Sequence, residues 1–269
     1  MVIAVMDADV IDINGQRLRL ERIRAGEGWR PDSPVLVFLH ERWGCIELWR
    51  DFPRRLVEAT GMDALVYDRR GHGGSSPVRA PREPNYLHEE ALTYLPAVLE
   101  FEGIDRAVLV GHSDGGSIAL IHAAHHPRVL ACITEAAQIF VEEHTLDGVR
   151  AAARAYPGTG LARDLERYHG DKAESVFQGW IDTWLSPAFR EWTIEPELPG
   201  IRAPVLVMQG ERDAYGTAEQ VHRVVRGVNG PAEASLIPDC GDSPHSERPR
   251  EVLTAISDFV RRMHLHTVW

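Results

Sequence analysis

Cysteine is scarce in this 269-residue chain, which holds only Cys45, Cys132 and Cys240. Their wide separation matches neither the framework of a disulfide-rich secreted domain nor the ligand spacing of a zinc site. Cys132 lies inside an apolar run, where a free thiol packs as a small hydrophobic side chain. The cysteines therefore predict neither a disulfide scaffold nor a zinc centre.

Excess positive charge and long apolar runs are also missing. The chain has 29 Lys and Arg against 40 Asp and Glu, a formal net charge of −11, which argues against nucleic acid or an anionic membrane as a partner. No apolar run approaches the ~20 residues that span a bilayer, and the first ten residues do not resemble a signal peptide. We expect a cytoplasmic monomer or homodimer whose partner is a small-molecule substrate.

Apolar runs alternate with helical patterns through most of the chain. These runs are typical of strands buried on both faces of a parallel sheet, and they cover residues 35–39, 64–67, 107–110, 129–133 and 204–208. Asn14-Gly15 predicts an additional β-hairpin near the start. The alternation predicts an α/β fold with a doubly wound, mostly parallel sheet of about eight strands.

Residues 139–199 break this alternation and are rich in aromatic side chains. They carry Tyr156, Tyr168, Phe177, Trp180, Trp184, Phe189 and Trp192. Aromatic walls are typical of an apolar substrate pocket, although the same side chains would also attach a helical layer to the sheet. We predict a helical cap at 139–199, inserted into a core formed by residues 1–138 and 200–269.

The segment Gly111-His112-Ser113-Asp114-Gly115-Gly116 follows one predicted strand and begins a helical run. Strand, Gly-x-Ser-x-Gly and helix in this order are typical of a nucleophile elbow. The turn requires small residues at 111 and 115, because a Cβ there would collide with a neighbouring strand or helix. A serine hydroxyl at a helix N-terminus favours attack on a carbonyl and stabilises the resulting anion.

A serine nucleophile needs a base, and the base needs an orienting acid. His245 follows the last predicted strand, and Asp213 follows the strand at 204–208, so both are expected at the same sheet edge as Ser113. We predict these three residues as the catalytic triad. Glu135, at the end of the preceding strand, is the alternative acid, and Asp242 is a weaker competitor.

Two further features concern anion and metal binding. An oxyanion needs two backbone N–H donors, one from Asp114 and one from the loop His40-Glu41-Arg42-Trp43-Gly44.

The cluster His122-x-x-His125-His126 has a spacing that metal sites also use. Its position at the end of a helix, just before Pro127, fits a favourable helix-dipole placement better. No metal site is predicted.

The chain resembles the α/β-hydrolase superfamily over nearly its whole length. The motifs that carry the resemblance are Leu39-His40, Asp68-Arg69-Arg70-Gly71-His72-Gly73, the elbow, Gly210-x-x-Asp213 and Gly241-x-x-x-His245-x-Glu247-x-Pro249. It is most similar to the capped, carboxylesterase-like and meta-cleavage-product-hydrolase-like branch. This resemblance implies Ser113 as nucleophile, His245 as base, Asp213 as acid and no cofactor.

The chain departs from that family in its oxyanion loop and near its histidine. Most relatives have glycine in place of Glu41, and many have histidine in place of Asp242. Aligning the loop makes the Arg42 N–H the second oxyanion donor, with that of Glu41 as the alternative. The candidate substrate contacts are Glu41, Trp43, His112, Phe140, Trp180 and Trp184.

These residues predict a serine hydrolase that cleaves an ester-type bond of a small, fairly apolar substrate. The same triad would serve a carbon–carbon bond hydrolase of ring-fission products or a lactonase. A ligand-binding, receptor-like protein with a near-silent triad and a cofactor-free oxygenase are more remote alternatives. Ser113 replaces the aspartate that dehalogenases and epoxide hydrolases use, which argues against alkyl-enzyme chemistry.

Overall fold

The computed structural model describes residues 4–5, 9–29, 33–78 and 82–263. One sheet of nine strands runs through this part of the chain in the order β1-β3-β5-β4-β6-β7-β8-β9, with β2 paired to β3. The strands are β1 (Ala4–Val5), β2 (Asp9–Ile13), β3 (Gln16–Arg24), β4 (Val35–Leu39), β5 (Asp63–Tyr67), β6 (Ala107–His112), β7 (Val129–Glu135), β8 (Val205–Gly210) and β9 (Ala232–Ile237). In this order, every neighbouring pair from β5 through β4, β6, β7 and β8 to β9 is parallel. This arrangement confirms the predicted fold class.

Helices cover both faces of the sheet. They are α1 (Phe52–Thr60), α2 (Tyr86–Glu89), α3 (Leu95–Glu102), α4 (Asp114–His125), α5 (Glu143–Ala155), α6 (Leu161–His169), α7 (Ala173–Leu185), α8 (Ala218–Gly227), α9 (Pro244–Glu247) and α10 (Pro249–Arg262). A π-helical turn, Glu90–Tyr94, joins α2 to α3, so the chain is helical without a break from Tyr86 to Glu102. No helix in the described ranges is both long and apolar enough to cross a membrane.

The core lies on both faces of the parallel strands. Along β6, Leu109 packs into one apolar cluster, and Val108 and Val110 pack into the other. Alternate side chains of a strand point to opposite faces, so a continuous apolar run is what such a strand requires. The predicted hairpin is also present: Asn14 and Gly15 both have positive φ, 53° and 76°, as the tight turn between β2 and β3 demands.

Residues 139–199 form helices α5, α6 and α7 with several short 3₁₀ turns. They pack on loops that follow the strands. The Trp43 carbonyl oxygen lies 2.8 Å from His169 Nε2, and Thr145 donates a hydrogen bond to the Tyr215 carbonyl, 2.6 Å away. The predicted helical character of this segment is confirmed, and its treatment as a separate cap stays a prediction.

Candidate active site

Ser113 stands at the turn between β6 and α4 with φ 51° and ψ −119°. This backbone conformation is costly for any residue with a Cβ. Hydrogen bonds hold it in place: the Ser113 N–H donates to the Glu135 carbonyl at 2.8 Å, and the Ser113 carbonyl accepts from Gly116 at 2.8 Å. A Cβ at Gly115 would lie 1.9 Å from the Leu39 carbonyl oxygen. The tight turn predicted from Gly-x-Ser-x-Gly is therefore present.

His245, the predicted base, is hydrogen-bonded to Glu135. Its Nδ1 lies 2.9 Å from Glu135 Oε2, and its backbone N–H donates to the same oxygen at 2.8 Å. Because a carboxylate only accepts, the proton of the neutral ring is on Nδ1, and Nε2 is left as an acceptor. Burial would raise the pKa of Glu135, but the charge and hydrogen bonds of His245 outweigh it and lower that pKa below its usual value.

Asp213, predicted as the orienting acid, has other partners. Gln209 Nε2 donates to one carboxylate oxygen at 2.5 Å, and the Tyr215 N–H donates to the other at 2.7 Å. Burial, reinforced by the negative charge of Asp242, raises the pKa of Asp213 to about 7. Between these described residues the structure forms no Asp213–His245 hydrogen bond.

The physical reason for this difference is the length of β7. The strand runs two residues beyond the predicted 129–133, so Glu135 lies in register with His112 on β6 and Met208 on β8. Its carboxylate thereby reaches the edge that holds Ser113. Glu135, the alternative acid of the sequence analysis, thus takes the position beside His245 that was expected for Asp213.

Gln138 is a neighbour of Ser113 that the sequence analysis did not select. The Ser113 hydroxyl donates to Gln138 Oε1 at 3.4 Å, and the amide of Gln138 is held by the Ala136 carbonyl at 2.8 Å. No hydrogen bond joins Ser113 to His245 between these two described side chains. Catalytic hydrogen bonds are often long or poorly aligned until substrate binds. The position of Gln138, just past β7 at the same edge, is the signal that could have identified it.

The predicted substrate contacts Glu41 and His112 share a cavity with His245. This cavity has a volume of about 200 Å³ and also includes Trp49 and Ser243. The ring of His245 lies 5.1 Å from that of His112, the residue before Ser113. Burial lowers the pKa of His112 to about 4, so this imidazole is neutral at pH 7.

The side chain of Arg42 is buried in an aromatic cage. Its guanidinium lies within 5.0 Å of the ring centres of Trp43, Trp180 and Tyr215. It donates a hydrogen bond to Asp242 at 3.1 Å. The predicted contacts Trp43 and Trp180 therefore surround a charged pair, which joins the oxyanion loop to the loop before His245.

The backbone of the oxyanion loop leaves N–H groups without a hydrogen-bond partner in the described part of the chain. The Trp43 N–H donates to the Glu41 carboxylate at 2.7 Å, and the Gly44 N–H donates to the Glu41 carbonyl at 3.0 Å. The N–H groups of Glu41 and Arg42, the two predicted donors, have no hydrogen-bond partner within the described ranges. Asp114 is the first residue of α4, where helical N–H groups also lack intrahelical partners. Unpaired N–H groups in this loop and at a helix start are the kind of donors that an oxyanion site uses.

Comparison with known proteins identifies the family. The model of the alpha/beta hydrolase family matches residues 36–255. The chain belongs to the alpha/beta hydrolase family. This finding confirms the resemblance stated from the motifs, and it supports hydrolase activity.

Individual relatives of this alpha/beta hydrolase differ in the bonds they cleave. Epoxide hydrolase A of Mycobacterium tuberculosis is 27% identical over 323 residues, covering 95% of this chain and 98% of that protein. The sn-1-specific diacylglycerol lipase ABHD11 of Danio rerio is 24% identical over 265 residues, covering 86% and 79%. The structure of 2-hydroxy-6-oxo-6-phenylhexa-2,4-dienoate hydrolase from Rhodococcus sp. strain RHA1 is similar in fold, with a TM-score of 0.80, 14% identity and coverage of 97% and 100%.

Two predicted contacts of the hydrolase have other surroundings. Trp184 Nε1 donates to the Tyr86 hydroxyl at 3.1 Å, which in turn donates to Asp114 Oδ2 at 2.9 Å. Trp184 thus connects α7 to the elbow through a buried chain of hydrogen bonds. Phe140 packs against Arg223 of α8, with 4.1 Å between the guanidinium carbon and the ring centre.

One group of possible metal ligands occurs among the described residues: Cys45, Glu47 and Asp68. These side chains already serve the protein itself. Glu47 pairs with Arg19 at 2.5 Å, and Asp68 accepts the N–H groups of Ile46 and Gly74 at 2.7 Å each. Burial also raises the pKa of the Cys45 thiol. This trio is better explained as support for the loops after β4 and β5.

Proposed function

We propose that this alpha/beta hydrolase cleaves an ester-type bond of a small, fairly apolar substrate through an acyl-enzyme on Ser113. His245 acts as the base, and Glu135 takes the role of orienting acid in place of Asp213. One observation carries the proposal: Glu135 is bonded through its carboxylate to His245 and through its carbonyl to the N–H of Ser113. A single strand end thus supports both the base and the strained nucleophile.

The reaction has two steps. His245 Nε2 accepts the Ser113 hydroxyl proton as Oγ attacks the substrate carbonyl, and the same proton then passes to the departing alcohol. Water next attacks the acyl-enzyme, giving its proton to His245, which returns it to Ser113 as the carboxylic acid leaves. The negative charge of Glu135 stabilises the imidazolium in both steps.

The Asp114 and Arg42 N–H groups are proposed to bind the carbonyl oxygen as it becomes an anion. The position of Asp114 at the N-terminus of α4 supports this role, because the helix dipole favours negative charge there. Losing one such donor typically costs about 10²–10³ in kcat. This role uses only the backbone of Arg42, so it is compatible with the hydrogen bond between the Arg42 side chain and Asp242.

Labelling with a fluorophosphonate probe tests the nucleophile directly. We expect one equivalent of probe on Ser113 and none on Ser113→Ala, which should also lose turnover of p-nitrophenyl butyrate. Labelling elsewhere, or wild-type turnover by Ser113→Ala, would refute the assignment. Ser117→Ala is the matched control. Ser117 lies on α4, the helix that follows Ser113, and its hydroxyl donates to the Gln138 carbonyl oxygen at 2.5 Å.

A substrate panel separates the chemistries that share this triad. Short esters, lactones and a ring-fission dienoate should be compared by kcat/KM with wild-type protein. The proposal expects esters to be the best substrates by at least tenfold. A dienoate turned over with negligible ester hydrolysis would assign carbon–carbon bond cleavage instead, and stoichiometric ligand binding without turnover would assign a receptor-like role.

A further inference from the structure

The oxyanion loop contains a tight turn whose peptide groups have defined directions. The Gly44 N–H donates to the Glu41 carbonyl at 3.0 Å, which places Arg42 and Trp43 in the middle of a β-turn. In a planar trans peptide group, the C=O and the N–H point in opposite directions. A donor that holds the carbonyl from one side therefore aims the N–H of the same peptide group to the other side.

His169, the last residue of α6, is hydrogen-bonded to this turn. The Gly73 N–H donates to its Nδ1 at 2.9 Å, and its Nε2 lies 2.8 Å from the Trp43 carbonyl oxygen. Since a backbone N–H only donates, Nδ1 accepts, and the neutral ring carries its proton on Nε2. Burial lowers the pKa of His169, which favours this neutral form at pH 7. The imidazole therefore donates to Trp43.

These contacts form a continuous series of hydrogen bonds, which we call the His169 path. The imidazole N–H of His169 donates to the carbonyl of the peptide group between Trp43 and Gly44. The N–H of that group donates to the carbonyl of the peptide group between Glu41 and Arg42. The path ends at the Arg42 N–H, a proposed oxyanion donor that has no partner among the described residues. Every bond of the path points in the same direction, from His169 toward Arg42.

The Glu41 carbonyl, the last acceptor of the path, receives two further hydrogen bonds. The Arg69 N–H donates to His40 Nε2 at 2.9 Å, which leaves the His40 proton on Nδ1. His40 Nδ1 then donates to the Glu41 carbonyl at 2.8 Å, and Arg69 Nη2 donates to it at 2.9 Å. Successive hydrogen bonds polarise one another by about 10–30% per bond. The Arg42 N–H is therefore fixed in direction and strengthened as a donor.

Close packing holds both ends of the His169 path in place. A Cβ at Gly44 would lie 2.7 Å from His40 Cβ, and a Cβ at Gly73 would lie 2.1 Å from Asp68 Oδ2. Gly73 also has a positive φ of 47°, which residues with a Cβ rarely adopt. His169 itself is only 2% exposed. The imidazole is thus held between two loops that have little room to shift.

We propose that His169 is a positioning residue for the oxyanion donor of Arg42. It belongs to the segment 139–199, and it acts through two peptide groups without touching the substrate. This inference rests on the function proposed above, since it requires the Arg42 N–H to meet the substrate oxyanion. It also favours Arg42 over Glu41 as the second donor, because the His169 path ends at the Arg42 N–H.

Two substitutions of His169 separate its bond to Trp43 from its bond to Gly73. The amide nitrogen of His169→Gln can replace Nε2 and donate to Trp43. The amide oxygen of His169→Asn can replace Nδ1 and accept from Gly73, but this shorter side chain does not reach Trp43. With p-nitrophenyl butyrate, we expect His169→Asn to lose about tenfold in kcat, less than the 10²–10³ typical of a deleted donor. His169→Gln should stay within about threefold of wild type.

The pattern of kinetic losses distinguishes positioning from a merely structural role. Equal losses in kcat and kcat/KM, with KM unchanged, mark an interaction made only in the transition state. A structural histidine would instead lower Tm in both variants and leave kcat unchanged in both at temperatures well below Tm. Lys172→Met is the matched control, because Lys172 Nζ donates to the Gly73 carbonyl at 2.7 Å and lies outside the His169 path. It should keep wild-type kcat, and equal kcat in the two folded His169 variants would contradict the proposal.

NMR tests the His169 path even where a variant does not fold. In the wild-type protein, a long-range ¹H–¹⁵N spectrum should show His169 protonated on Nε2, and a proton on Nδ1 would overturn the proposal. The backbone ¹⁵N shifts of Gly44 and Arg42 should move in His169→Asn and stay near wild type in His169→Gln.

Fluorophosphonate labelling separates failure of this inference from failure of the proposed function. Wild-type protein that does not label at Ser113 would refute the proposed function, and with it any role of His169 in the reaction. Normal labelling of Ser113 together with unchanged Gly44 and Arg42 shifts in His169→Asn would refute the positioning role alone. We expect Ser113 to be labelled in His169→Asn about tenfold more slowly than in wild type, in parallel with the loss in kcat, because the same oxyanion donor serves both reactions.

Discussion

Glu135 accepts two hydrogen bonds from His245 through one oxygen, from the ring at 2.9 Å and from the backbone at 2.8 Å. The paired contacts fix both the imidazole and the loop that carries it. Glu135 can hold both groups because it is fully buried and lies at the end of β7, where its carboxylate has a fixed position. The proposed acid therefore belongs to the sheet, whereas Asp213 stands three residues beyond β8.

Glu135→Gln should lower kcat for p-nitrophenyl butyrate by about 10³-fold or more, as loss of the orienting carboxylate does in serine triads. The amide still accepts from Nδ1 but cannot stabilise an imidazolium. Asp213→Asn should cost less than tenfold, because its carboxylate bonds to Gln209 and Tyr215. The reverse order of losses, measured with folded proteins, would restore Asp213 as the acid.

The stability of the fold should depend on pH through Glu135. Its pKa is lowered in the folded protein, so its contribution is present above the ordinary value of 4.5 and disappears as pH falls below that value. Urea unfolding should show the largest wild-type advantage over Glu135→Gln at pH 6–7 and a shrinking one below pH 4.5. An advantage that is constant across this range would contradict the lowered pKa.

The elbow and the position of His245 in the loop after the last strand were predictable from sequence, because each depends on local chemistry. Gly111 and Gly115 identify a turn without room for Cβ atoms, and the loop after the last strand supplies His245. The choice of the orienting acid was not predictable in the same way, because Glu135 ends β7 and Asp213 follows the neighbouring parallel strand β8. Choosing between them requires the exact end of β7, and strand ends are where sequence patterns are weakest.

Contacts between side chains that are far apart in the chain were also not predictable from the sequence. Phe140 falls within the aromatic-rich segment, yet it packs against Arg223, 83 residues away in the chain, and not into a shared aromatic wall. Trp184 lies in the same segment, and its N–H donates to the Tyr86 hydroxyl, which belongs to a distant part of the chain. Tertiary packing decides such partners, and apolar periodicity carries no information about them.

The hydroxyl of Tyr86 should matter more than its ring. Tyr86→Phe leaves the Trp184 N–H and the Asp114 carboxylate without their shared partner. A buried polar group left without a hydrogen bond costs about 1–3 kcal/mol of stability. We expect a lower Tm and a several-fold lower kcat, because Asp114 carries a proposed oxyanion donor. Tyr67→Phe is the matched control: its hydroxyl is buried without a partner in the described ranges. Similar losses in both variants would show that the hydrogen-bond chain contributes nothing specific.

Gly115→Ala should abolish activity and destabilise the fold by more than about 3 kcal/mol, a size reserved for severe steric or core defects. In an ordinary helix this change is favourable by about 1 kcal/mol, but here the new Cβ would lie 1.9 Å from the Leu39 carbonyl oxygen. The clash pushes β4 from α4, and with it the oxyanion loop from Ser113. Gly160→Ala is the control, because a Cβ at Gly160 would meet only Asp164 Oδ2, at 4.0 Å. Urea unfolding of a Gly115→Ala variant as stable as Gly160→Ala would show that the close approach of strand and helix is not required.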